Sequence, residues 1–192
     1  MKNLVKILGL FLIASSLSSC SYNSMVEKRE TVSKQWANVE SSYQRRSDLI
    51  PNIVNTVKGE ASFEQQTLVD VTQARASATS VKLDPSRLSQ DDIKKFEQAQ
   101  GQLSGSLSRL LVSVEKYPDL KTNEAFIGLM AQLEGTENRI NTERNRYNAA
   151  VNDYNAFIQQ FPALITAKMF GFQPKGYFEA SSGSDKAPTV KF

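Results

Sequence analysis

The sequence predicts an all-α protein, an antiparallel up-and-down bundle of long helices. Three observations predict it. Apolar residues recur at alternating steps of three and four along four stretches, the spacing of helices that each bury one face. The connections between these stretches are short and carry helix breakers. A mean period near 3.5 residues with short connections makes neighbouring helices run antiparallel, side by side.

In the first stretch Val32, Trp36, Val39 and Tyr43 step by 4, 3 and 4, and Ile50, Val54 and Val57 resume the same stripe. Pro51 interrupts it. A proline inside a helix removes one hydrogen bond and kinks or restarts the helix. Ser47 or Asp48 is placed to cap a restart, so one rod is expected with a bend near residues 47–51, ending at Lys58-Gly59. The second helix is expected over about Ala61 to Thr79, with Phe63, Thr67, Val71, Ala74 and Ala78 on one face. Residues 81–90 read as a connection, and Ser89 with Asp92 forms a capping-box variant. The third stripe, Ile93, Phe96, Gln100, Leu103, Leu107, Leu110 and Val114, has one polar break at Gln100 before Tyr117-Pro118-Asp119 stops it. The fourth begins near Thr122 or Asn123. It carries Phe126, Leu129, Leu133, Ile140, Tyr147, Val151, Tyr154, Ile158 and Phe161, a rod of roughly 60 Å at about 1.5 Å per residue. A short apolar turn, Ala163–Phe170, follows, and Gly171 ends it. Residues 25–172 thus make one bundle, and residues 173–192 are expected to form a C-terminal tail, mobile in part.

Ahead of the bundle, Met1–Lys6 carries two lysines, residues 7–14 are an apolar run, and small residues lead to a cysteine. This is the layout of a secretory signal peptide over residues 1–19. Leu17, Ser18, Ser19 and Cys20 resemble the bacterial lipobox, at which the cysteine sulfur is lipidated and the chain is cut just before it. Cys20 is then the lipid attachment site and residues 20–24 a short tether. Ser21, rather than aspartate, follows the cysteine, which resembles the outer-membrane pattern of double-membraned bacteria. The alternative is an uncleaved single-pass anchor, since residues 7–26 carry no charge. The serines and Asn23 in its second half argue against that.

The 192-residue chain has 23 basic and 20 acidic residues. Cleavage before Cys20 removes Lys2 and Lys6 and no acid, so the mature net charge falls from +3 to +1. Nothing in that balance draws the protein to nucleic acid or to anionic lipid. With a single cysteine there is no internal disulfide. With no histidine, Ser-His-Asp and Cys-His catalysis are excluded, and any enzyme would work with carboxylates, lysine or tyrosine.

Four groups of residues are candidate sites. Arg45, Arg46 and Asp48 flank the proline, and Arg75, Arg144 and Arg146 lie on other helices. Arg46, Asp48, Arg75 and Arg144 are read as an interhelical polar network that fixes register, in preference to an anion or partner site. Tyr147-Asn148 and Tyr154-Asn155 repeat at seven residues and share a face. They are read as core tyrosines with hydroxyls at the rim, and asparagines setting register. Glu134, Glu137 and Glu143 with Asn141 are read as a solvated face, because a metal-holding bundle wants Glu-x-x-His. No metal or cofactor is expected. Val190 and Phe192 alternate in a fashion suited to β-strand addition in a partner's groove.

The order and spacing of several motifs resemble the LemA family. They are Tyr22-Asn23, Trp36, Arg45-Arg46-Ser47-Asp48-Leu49-Ile50-Pro51-Asn52, Ala74-Arg75, Glu115-Lys116-Tyr117-Pro118-Asp119-Leu120, Arg144-Asn145-Arg146-Tyr147-Asn148, Tyr154-Asn155, Phe161-Pro162, Tyr177-Phe178 and the closing Ala187-Pro188-Thr189-Val190-Lys191-Phe192. The resemblance covers essentially the whole mature chain. It implies a membrane-tethered helical bundle in bacteria, and a membrane protein with a TPM domain as partner. Family members usually keep an N-terminal transmembrane helix, whereas this chain has a lipobox. The expected function is that of a membrane-anchored envelope lipoprotein with a non-enzymatic interaction or scaffolding role. The alternatives are a bundle that binds a small ligand or lipid between its helices, and an enzyme using carboxylates or tyrosines.

Overall fold

The computed structural model describes residues 2–59 and 63–179, with side chains from Ser21 onward. Among the described residues six α-helices follow in order: α1 (Lys2–Lys58), α2 (Gln65–Ser80), α3 (Gln90–Val114), α4 (Pro118–Thr122), α5 (Glu124–Gln159) and α6 (Ala163–Phe170). Cross-helix pairs fix their directions. Lys28 faces Asp153, Trp36 meets Tyr147 and Arg46 meets Glu137, so α1 and α5 are antiparallel. Trp36 packs on Phe96 and Arg46 on Gln100, so α3 runs parallel to α1. Arg75 reaches Ser47 and Ala78 meets Gln100, so α2 runs down beside both. The expected antiparallel up-and-down bundle is the fold.

The helix boundaries have local causes. Ser89 and Asp92 form the capping box that starts α3, and the Asn123 side chain accepts from the Phe126 N–H at 3.1 Å to start α5. Gly171, with φ 72°, ends α6 in the left-handed conformation that glycine adopts without strain. The connection between α2 and α3 holds a 3₁₀ turn at Pro85–Arg87, and α4 is a single turn opened by Pro118 at its first position.

Four expectations are corrected. Residues 20–24 are not a tether, since α1 runs unbroken through them. They contain no glycine or proline, and Tyr22 is held by rings at Phe170 and Phe172. The restart expected at Pro51 is absent. The helix continues because another element satisfies the carbonyl that the proline orphans, as described below. Phe161 is not on the buried stripe and is 82% exposed. The chain leaves helical geometry at Gln160 (φ −83°, ψ 146°), so the helical period does not reach Phe161. Part of the tail expected from residue 173 is packed, because Lys175, Gly176 and Phe178 are buried.

The core falls into two apolar clusters. One, around Trp36, includes Met25, Tyr43, Phe96, Tyr147, Tyr154, Ala167 and Phe178. The other gathers Ile50, Ile53, Val57, Leu68, Leu103, Leu110, Leu120 and Phe126. Buried Arg46, Ser47 and Gln100 lie between them. The expected polar break at Gln100 is therefore one member of a polar layer across the bundle.

Candidate functional site

The polar layer is built from α1, α3 and α5. Arg46, almost wholly buried, donates to the Ser104 hydroxyl (3.0 Å), the Glu137 carboxylate (3.0 Å) and the Gln100 side-chain oxygen (2.7 Å). Its guanidinium also lies 5.0 Å from the centre of the Tyr43 ring. A buried guanidinium needs several acceptors, and these three helices supply them. Burial raises the Tyr43 phenol above its ordinary pKa, with Arg144 and Arg46 pulling the other way.

The structure does not gather Arg46, Asp48, Arg75 and Arg144 into one network. Asp48 is exposed and accepts from Gln44 of its own helix at 2.7 Å. Arg75 donates from Nε to the Ser47 carbonyl at 2.8 Å. Ser47 lies four residues before Pro51, and its carbonyl is the one that a proline at position 51 leaves without an N–H donor. Arg75 thus supplies from α2 the bond that α1 cannot make. Arg144 pairs with Glu97 at 2.6 Å, donates to the Glu179 carbonyl at 2.8 Å and stacks 4.7 Å from the centre of the Phe178 ring. Burial pushes the Glu97 carboxyl up from its ordinary range, against the pull of Arg144. Of the acidic group read as a solvated face, Glu134, Glu137 and Asn141 are exposed, and only Glu143 is buried. Glu137 holds Arg46, and buried Glu143 accepts from Arg146 at 2.9 Å.

Residues 172–179 are neither helix nor strand and lie between α3 and α5 at the end of the bundle where Trp36 sits. The two Tyr-Asn pairs of α5 hold this segment by its backbone. Tyr154 donates to the Gln173 carbonyl (3.0 Å) and Tyr147 to the Gly176 carbonyl (3.0 Å). The Asn155 amide donates to the Lys175 carbonyl (2.9 Å) and accepts its N–H (2.8 Å). Asn148 does the same for Phe178, at 2.9 Å in both directions. The spacing matches by arithmetic. Seven helical residues advance about 10.5 Å, and three extended residues advance about 10 Å. A heptad step on α5 therefore meets every third residue of the segment. Burial raises the phenol pKa of both tyrosines, so they remain hydrogen-bond donors. On the other side Gln90 bonds both backbone groups of Tyr177, and the Gly176 N–H donates to the Leu88 carbonyl at 2.9 Å. A Cβ on Gly176 would come within 2.7 Å of Gln90 backbone, so only glycine fits there. Lys175 donates its ammonium to the carbonyls of Pro85 and Ser86, and burial lowers its pKa. The heptad repeat was visible in the sequence, but its ligand, a stretch of the same chain, was not.

Past the level of Arg46 the gap between α3 and α5 forms a groove of about 730 Å³. Leu107, Leu111 and Val114 of α3 line one wall, and Phe126, Met130 and Leu133 of α5 the other. Arg46 and Glu137 close its inner end. Leu129 and Leu133, expected in the core, are only partly buried beside this opening.

Cys20, Leu17, Ser18 and Ser19 lie on α1, but their side chains are outside the described residues, as are Val190 and Phe192 altogether. Among the described residues no helix is long and apolar enough to cross a membrane.

The LemA family model matches residues 35–192. The chain is similar to two magnetosome proteins, MamQ 1 and MamQ 2, of Paramagnetospirillum magneticum (strain ATCC 700264 / AMB-1). Each is 29% identical over 181 residues, covering 85% of this chain and 66% of the relative. The chain thus spans just under two thirds of the length of the curated relatives it matches.

Proposed function

Since the chain belongs to the LemA family, we propose that it is a membrane-anchored lipoprotein of the bacterial envelope, held by lipid on Cys20, that acts by non-enzymatic interaction or scaffolding. The observation that carries this reading is the continuity of α1, which runs from the uncharged N-terminal stretch through position 20 into the Trp36 core. An anchor at Cys20 is then joined to the bundle by helix, with no hinge between them. In a double-membraned cell Ser21, the residue after the cysteine, favours the outer membrane, facing the periplasm. The partner we propose is an envelope protein such as a TPM-domain protein, engaged by Val190 and Phe192 through β-strand addition.

The anchor is tested by Cys20→Ser with a fatty-acid label. The variant is expected to remain uncut and unlabelled; normal cutting, or an unlabelled wild type, rejects lipidation. The tail is tested by removing residues 188–192. Loss of crosslinking to a TPM-domain protein, with helicity and melting unchanged, is the expected result. Undiminished crosslinking, or a large fall in melting temperature, rejects it.

The groove between α3 and α5 favours a second reading, in which the bundle binds a small apolar ligand or lipid. Leu107→Trp would fill the groove and weaken such binding while leaving membrane attachment intact.

A further inference from the structure

Eight large apolar side chains are exposed among the described residues, and five of them lie at one end of the bundle. Phe161 (82%), Ile165 (56%), Met169 (69%) and Phe170 (58%) belong to α6 and its approach, and Tyr22 (38%) belongs to α1. Soluble surfaces carry isolated apolar residues routinely, but a concentration of this kind marks a contact. Its position in the fold identifies which. The inner face of α6, with Ala163, Thr166 and Ala167 buried, packs on α1 and α5. Ile165 and Met169 stand one turn apart on the opposite face, beside exposed Lys168. Phe170 packs on Tyr22 with ring centres 4.9 Å apart, and Phe172 on the same ring at 5.7 Å. Tyr22 is two residues, about 3 Å along the helix, from Cys20. Below it α1 continues into a stretch without charge, residues 7–19.

We propose that the outer face of α6, with Phe161, Ile165 and Met169, is a second membrane contact that enters the acyl-chain boundary beside the anchor. The proposal rests on the membrane tether argued above. Whether residue 20 carries lipid or the helix below it stays in the bilayer, the membrane surface lies at the level of Tyr22, and Tyr22 touches α6. An apolar helix face at the headgroup–acyl boundary adds to such an anchor in proportion to the apolar area it buries there. Two separated points of contact also fix the angle of the bundle to the membrane, which one flexible lipid does not.

The test uses the full chain, reconstituted in phosphatidylcholine vesicles with or without brominated acyl chains. Trp36 is fully buried and gives a constant background. Tryptophan is added at Met169, at Ile165 or, as control, at Val112, which is 69% exposed on α3. Brominated lipid is expected to quench the added emission at 169 and 165 at least twofold, and at 112 not at all. Flotation reports the tether separately. Flotation with quenching at 169 and 165 no greater than at 112 overturns the α6 contact and leaves the tether standing. Failure to float overturns both. Emission at 169 that shifts to the red on dilution, without lipid quenching, assigns the face to a second copy and overturns the proposal.

Discussion

Arg75 illustrates how a side chain on one helix rescues the backbone of another. Pro51 leaves the Ser47 carbonyl without its helical donor, and Arg75 Nε replaces it at 2.8 Å. Arg75→Met keeps most of the aliphatic stem and removes the donor, so a partly buried carbonyl is left unsatisfied at a cost of about 1–3 kcal/mol. Pro51→Ala restores the N–H that this carbonyl would otherwise accept. In a Pro51→Ala background Arg75→Met is therefore expected to cost at least 1 kcal/mol less, on the order of the pairwise couplings such cycles resolve. Chemical denaturation of the four proteins measures the coupling, and additive costs would show that Arg75 acts some other way. The sequence displayed both residues, as a proline that should bend α1 and an arginine assigned to a polar network. It did not display their relation, because a carbonyl's donor is set by which helix packs alongside. Gln100 is a parallel case. Its place in an otherwise apolar seam was legible, while its partner, Arg46, is 54 residues away in the chain.

At the scale of elements, legibility followed periodicity. α3 was readable almost residue by residue, because Ile93, Phe96, Leu103, Leu107, Leu110 and Val114 each bury at the position the 3-4 stepping assigns. The capping box of Ser89 and Asp92, and the stop at Gly171, were readable because their chemistry is local. Residues 173–179 have no period to read. Their packing depends on side chains of α5 and α3 bonding their backbone, so they resembled a tail. Gly176 is the sensitive point of this element. Gly176→Ala places a methyl group within 2.7 Å of the Gln90 and Ser89 backbone, atoms that cannot swing aside. The segment must lift, or α3 must shift, costing about 1–3 kcal/mol by the measure of overpacked cores. Hydrogen exchange should then rise at the amides of Lys175, Gly176 and Phe178, while α2 keeps its protection. Unchanged exchange at those three amides would mean that the segment is held from elsewhere.

Across the whole molecule, the layer at Arg46 divides one bundle into two apolar cores. Burying a guanidinium has a large desolvation cost, and its bonds return that cost only if they are complete. Here they are not, since Arg46 Nε has no acceptor among the described residues. Glu137, half exposed, can be rehydrated if its partner goes. Arg46→Leu alone leaves Gln100 buried without its 2.7 Å donor, and should destabilise by about 1–3 kcal/mol. Arg46→Leu with Gln100→Leu removes both unsatisfied groups and joins the Trp36 cluster to the Leu103 cluster. The double variant is expected to match or exceed the wild type in denaturant midpoint, as replacement of buried charge by apolar residues often does. Such an outcome would make the layer a device of specificity, since it is the layer that opposes an axial slip of α1 along α3 and α5. A wild-type-like midpoint with a lower m-value and weaker near-ultraviolet dichroism would show the loss of a single register. A double variant less stable than Arg46→Leu alone would instead make the layer a net source of stability, and the groove that Arg46 and Glu137 close would then owe its shape to the same bonds.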